Sequence, residues 1–175
     1  DAEHYNPENK AHVLSNKVKR SIEKLSKRCQ EVNALSSNEE KKAYLEKYFD
    51  VDSILDYILV ATAVHDTDGG YANYQWITYD GEKWFVCNYD KDRSFGNGTE
   101  YMKQAITTGS WIYQNITIFK LFEDLFSTEL KEKWNGYVKK GIFTYDNFIG
   151  KISQWVQRIG QDNYKKEYLK WKQAP

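Results

Sequence analysis

Oxygen donors crowd two short stretches of this 175-residue chain. The first is His65-Asp66-Thr67-Asp68-Gly69-Gly70-Tyr71-Ala72-Asn73, and the second, after a run with strand character, is Asn88-Tyr89-Asp90-Lys91-Asp92. If the residues between them fold back as a hairpin, the two stretches meet at its open end. Carboxylates and an amide gathered there can hold a divalent cation and accept a proton. A magnesium-like ion takes one or two carboxylates, water and substrate phosphate oxygens, and screens the charge on a transferring phosphoryl group. The residue types therefore point to phosphate chemistry.

The spacing sharpens that reading. Asp68 is followed after four residues by Asn73, the interval at which protein kinases set a catalytic base and a metal-binding amide on one loop. Asp90 arrives after the hairpin, where a kinase sets its main metal-binding carboxylate. A lone Asp beside glycines is more often a turn former or helix cap than a ligand. The weight lies in the cluster.

These groups need elements to position them. Asp52 or Ser53 can cap a helix in which Ile54, Leu55, Ile58, Leu59, Ala61 and Ala63 make most of the circumference apolar, so this helix is expected to be central. Its end delivers Val64 to Asp68, and Gly69-Gly70 stops it. Alternation over Tyr74, Trp76 and Thr78, an Asp80-Gly81 turn and the return through Lys83 to Cys87 predict a hairpin. Two strands are marginal alone, so helices must cover one face or further strands must come from elsewhere.

Upstream, residues 1–15 read as an extended lead-in, and Val18, Ile22, Leu25, Cys29 and Val32 draw one stripe on a first helix. Ser36-Ser37-Asn38 can cap a second, with Ala43, Tyr44, Tyr48 and Phe49 inward. Downstream, a long loop from Gly96 towards Trp111 precedes four helical segments. Their apolar faces are Ile118, Leu121, Phe122, Leu125 and Phe126; then Leu130, Trp134 and Val138, begun at Ser127 and stopped at Gly141; then Phe148, Ile149, Ile152, Trp155, Val156 and Ile159; and a polar last helix from about Asp162 with Tyr164, Tyr168, Leu169 and Trp171. These side chains are expected to form core and packing surface. The fold class is α+β and mainly α-helical, one domain of residues 1–175 with a single central hairpin.

Composition removes other functions. Lys plus Arg and Asp plus Glu number 25 each, so no global field draws the chain to nucleic acid or an anionic membrane. No apolar run reaches the roughly 20 residues that cross a bilayer. Cys29 and Cys87 lack CxxC spacing and a His cluster, so zinc and redox-motif readings have no support, and both read as buried small apolar residues. Asp1 in place of Met indicates a processed chain, an excised domain or a piece of something longer.

The span Tyr48-Phe49-Asp50-Val51-Asp52-Ser53-Ile54-Leu55-Asp56-Tyr57, continued by Asp66-Thr67-Asp68, Asn73 and Asn88-Tyr89-Asp90-Lys91-Asp92-Arg93-Ser94-Phe95-Gly96, resembles the CotH family of spore-coat and secreted atypical protein kinases. The resemblance implies a kinase-like C-terminal lobe, ATP with Mg2+ or Mn2+, transfer of the γ-phosphate to protein Ser or Thr, and a location outside the cell, at its surface or in the spore coat. Carried over by residue, Asp68 matches the catalytic-loop Asp, Asn73 the loop Asn and Asp90 the metal-binding Asp, with Asp92 a second candidate beside the nucleotide.

Two departures stand out. Asp66 occupies the place of a kinase's usual His, so it can be a structural acceptor, a further metal ligand or the base itself. No glycine-rich phosphate loop and no strand bearing an ATP lysine precede residue 54. The nucleotide-clamping N-terminal lobe is therefore expected to be missing and this chain, alone, inactive. The rival readings are a pseudokinase or helical protein-interaction module and, ranked last, a metal-dependent phosphoesterase.

Overall fold

α3 (Val51–Ala63) is the element around which the N-terminal part is built. Ile54, Leu55, Tyr57, Ile58, Leu59 and Ala61 are all buried, because its residues are apolar on nearly every face. The computed structural model describes residues 16–66, 73–91, 94–95 and 117–172. Among them are seven helices and one two-stranded antiparallel sheet, an α+β, mainly α architecture. The described residues up to Leu130 pack as one unit and those from Lys131 as another.

In the first unit, α1 (Asn16–Ala34) and α2 (Asn38–Tyr48) precede α3. Ser37 caps α2 through a capping box: its hydroxyl accepts the Glu40 N–H and the Glu40 carboxylate accepts the Ser37 N–H, both at 3.1 Å. α3 is capped by Asp50, and not by Asp52 or Ser53 as the sequence suggests. Asp50 has extended dihedrals and accepts the Ser53 N–H at 2.9 Å, whereas Asp52 already lies in the first helical turn. The α1 stripe is buried only towards its C-terminal end: Val32 is fully buried, Leu25 and Cys29 are half-buried, and Val18 and Ile22 are exposed. On α2, Leu45 and not Ala43 is the core residue.

β1 (Tyr74–Ile77) and β2 (Phe85–Asn88) pair with Tyr74 opposite Asn88 and Ile77 opposite Phe85. Their connection is held by Asp80, whose carboxylate accepts the N–H groups of Glu82 and Lys83 at 2.7 and 2.9 Å. Gly81 supplies the left-handed residue at φ +75°. The hairpin gains a third extended piece from the α2–α3 junction. Phe49 pairs in parallel with Trp84, the Trp84 N–H donating to Tyr48 O at 2.9 Å and the Asp50 N–H to Trp84 O at 2.8 Å. This meets the need for a further strand that two strands alone create.

α4 (Thr117–Leu125) packs on α3 and closes the core with aromatic rings. Phe119 and Phe122 have no exposed surface. Phe119 stacks on Tyr57 and Trp76 at 5.1 and 5.8 Å, and Phe122 meets Phe49 edge-on at 5.8 Å. Burying each ring is worth about 1.5–3 kcal/mol.

The second unit takes up α5 (Ser127–Lys139) beyond Leu130, α6 (Tyr145–Ile159) and α7 (Gln161–Lys172). Gly141 at φ +72° ends α5 as expected, and Thr144 caps α6 by accepting the Asn147 N–H at 3.3 Å. Phe143 gathers Trp134, Tyr137 and Phe148 around it. The α6 stripe departs from its expected role as core: Ile149, Ile152, Trp155, Val156 and Ile159 are all exposed, as are Tyr164, Tyr168 and Leu169 on α7. Amphipathic spacing prepares such a face, but only a packed neighbour buries it.

Candidate active site at the open end of the hairpin

α3 ends in a tight reversal that the sequence makes costly. Val64 closes the helix, the His65 N–H reaches back to Thr62 O at 3.1 Å and the Asp66 N–H to Ala61 O at 2.8 Å. His65 takes a left-handed backbone, φ +49°. The turn leaves Asp66 fully buried at the C-terminal end of α3. Both conditions oppose a carboxylate: burial removes its hydration, and the negative end of the helix dipole repels it. A cation must offset them.

That cation is Lys91. Its Nζ forms an ion pair with Asp66 Oδ2, donates to Asn73 O at 2.9 Å and lies 5.1 Å from the centre of the Tyr57 ring. One ammonium thus joins the end of α3, the residue before β1 and the segment after β2. Strand pairing stops at Tyr74 and Asn88, so Asn73 and the Tyr89–Asp90 step leave the ladder at the same end.

The segment after β2 is folded as tightly. Asp90 is exposed at φ +43°, the Ser94 N–H donates to Lys91 O at 3.2 Å, and Phe95, at φ +57°, donates its N–H to Val64 O at 2.7 Å. His65, Asp90 and Phe95 are the three non-glycine residues with left-handed backbone among the described residues. Each such conformation costs of order 1–2 kcal/mol, and outliers of this kind gather at functional sites. His65 Nε2 and Ser94 Oγ are also buried without a hydrogen-bond partner among the described residues. Strain and unsatisfied polarity meet in one corner.

Of the four residues singled out in the sequence, Asn73 and Asp90 lie on the two segments that Lys91 joins. Asp68 and Asp92 lie outside the described residues. Among the described residues, no group of three or more His, Cys, Asp or Glu side chains could hold a metal ion. At the open end of the hairpin the described residues offer the exposed carboxylate of Asp90 and, on the segment that Lys91 ties there, the amide of Asn73. These are hard oxygen donors of the kind Mg2+ and Mn2+ accept, so the chemistry of the donors fits. Asp66 is committed to Lys91.

Sequence reasoning missed Lys91. The signal was present: a helix apolar all round that runs into an acid places that acid in buried surroundings, and the Lys of Asp90-Lys91-Asp92 is the cation nearest the far side of the hairpin. The two cysteines also differ from expectation. Both are free, Cys29 is half-buried, and Cys87 is exposed because it points away from α3 on the outer face of β2.

The profile of the CotH kinase protein family matches residues 1–174. The chain belongs to the CotH kinase family. It is a kinase-like protein in that sense, and the corner built by Asp66, Asn73, Asp90 and Lys91 falls within the matched span. Comparison with curated proteins and with solved structures gave no match. Among the described residues of this CotH family member, no helix is long and apolar enough to cross a membrane.

Proposed function

We propose that this chain carries the base and metal-binding loops of a phosphotransferase that moves the γ-phosphate of ATP to Ser or Thr of a protein. The observation that carries the reading is the Lys91 tie, which draws Asn73 and the Asp90 segment to one end of the hairpin. Family membership supports the nucleotide and the divalent metal in general terms. In this reading Asn73 and Asp90 hold Mg2+ or Mn2+, with Asp92 in reserve. The bound metal neutralises charge on the transferring phosphoryl group. Asp66, buried and paired, is a structural acceptor, and the base is Asp68. It takes the proton of the substrate hydroxyl, whose oxygen bonds to the γ-phosphorus as the bond to the ADP oxygen breaks.

Residues 1–68 contain no glycine, so residues 1–50 of this chain cannot themselves form a glycine-rich phosphate loop. We therefore read the chain by itself as a weak ATP binder that transfers phosphate poorly. Calorimetry with Mn2+ and ATP tests both halves. Mn2+ binding that disappears in Asp90→Ala, with ATP binding weaker than micromolar, is expected. Micromolar ATP affinity overturns the weak-binder reading, and unchanged Mn2+ binding in Asp90→Ala overturns the site.

A second reading, a non-catalytic interaction module, is favoured by one observation: the exposed apolar stripe on α6. Absence of Mn2+ binding by the wild-type chain would select it.

A further inference from the structure

We infer that Lys91 is a positioning residue for metal binding, setting where Asn73 and Asp90 stand relative to one another. The inference rests on the proposed role of Asn73 and Asp90 as ligands and adds the group that would hold them. Three observations converge on Lys91. Its partner Asp66 is fully buried and fixed to the end of α3 through its own N–H, so the pair has an immobile anchor. Its second bond goes to the main-chain oxygen of Asn73, which fixes the backbone of that residue and leaves the side-chain amide available. Its own backbone follows directly on Asp90, an exposed residue whose left-handed φ of +43° turns the chain just past the end of β2.

The charge arithmetic agrees. A lysine beside a cation site would ordinarily repel the metal, yet here its charge is matched by Asp66 in the same low-dielectric surroundings, with the Tyr57 ring below. The neutral pair orients without opposing. Only a quarter of the Lys91 side chain is exposed, which suits an orienting group better than one that must reach a substrate. Outer-shell groups of this kind typically change metal affinity by about 10- to 100-fold when removed.

The test uses the full chain, Mn2+ alone as probe, and two readouts: affinity by calorimetry or electron paramagnetic resonance, and hydrogen exchange at the Ser94 and Phe95 amides, which donate to Lys91 O and Val64 O. Lys91→Met keeps the stem and removes the charge. It should weaken Mn2+ binding by about 10- to 100-fold and speed exchange at those amides, while amides in the middle of α3 keep wild-type protection. Lys91→Arg should restore most of the affinity. Because removing one member of a buried pair can unfold a protein where removing both does not, the double variant Asp66→Asn/Lys91→Met provides a folded control. It too should bind Mn2+ weakly. A folded double variant with wild-type affinity and exchange overturns the inference and leaves the ligand assignment standing. If instead Asp90→Asn binds Mn2+ as the wild type does, the ligand reading fails, and the exchange of the Ser94 and Phe95 amides in Lys91→Met still decides whether Lys91 orders this corner.

Discussion

The Asp50 N–H donates to the main-chain oxygen of Trp84 at 2.8 Å, tying the start of α3 to the start of β2. At the other end Asp66 pairs with Lys91. α3 and β2 therefore lie between the same two fixed points. The two run side by side in the same direction and are pinned at both ends. This is how a largely buried helix and a two-stranded ribbon, neither stable alone, deliver Asn73 and Asp90 to a common end of the hairpin.

The Asp50 cap makes the first pin measurable. Asp50→Ala should lower the unfolding free energy in urea by about 1 kcal/mol, and Asp50→Asn by much less, because an Asn side chain can accept the same Ser53 N–H. Equal losses in the two variants would mean that the carboxylate charge, and not the cap bond, is what α3 uses.

Phe119 should be the costliest single truncation in the first unit. Its ring has no exposed surface and touches Tyr57, Tyr74 and Trp76, so Phe119→Ala leaves a cavity that three rigid rings cannot collapse to fill. The expected loss is about 3–5 kcal/mol, measured by chemical denaturation. A loss under about 1.5 kcal/mol would show that α4 is not part of the cooperative core.

Much of this was legible in the residues, for reasons specific to each place. The hairpin announced itself by alternation and Asp80-Gly81, and α3 by an apolar composition that no exposed helix could sustain. Ser37 and Gly141 fell where cap chemistry requires them. What escaped depends on partners distant in sequence. The Phe49–Trp84 bridge joins positions 35 apart, and neither residue looks like a strand end from its neighbours. Asp50 lost the cap to Asp52 and Ser53 on paper because all three are good N-caps, and only the backbone turn at Phe49 decides between them. Lys91 is a surface residue by type and becomes an internal one only because Asp66 is buried first.

The α6 stripe gives a prediction of the opposite sign to Phe119. Trp155 is 58% exposed, with the Arg158 guanidinium 5.4 Å from its ring. Trp155→Ser should change the unfolding free energy by less than about 0.5 kcal/mol. A loss above about 2 kcal/mol would show that this face is covered in solution.

Alkaline stability should report on Cys29. Burial pushes its thiol from an ordinary 9.0 up to about 11, so the folded chain keeps a proton that the unfolded chain releases. The contribution is complete below pH 9 and is lost as pH rises from 9 to 11. Unfolding then becomes easier by roughly 2 kcal/mol across that window, after allowance for partial solvent screening. Denaturant midpoints followed from pH 8 to 11 should fall in the wild type and fall less in Cys29→Ala. The same burial should appear as reactivity: at neutral pH a thiol reagent should modify Cys87 first and Cys29 only slowly, since the attacking species is the thiolate that burial suppresses. Equal rates at the two cysteines would show that α1 does not shield Cys29 in solution, and the alkaline shoulder should then vanish with it.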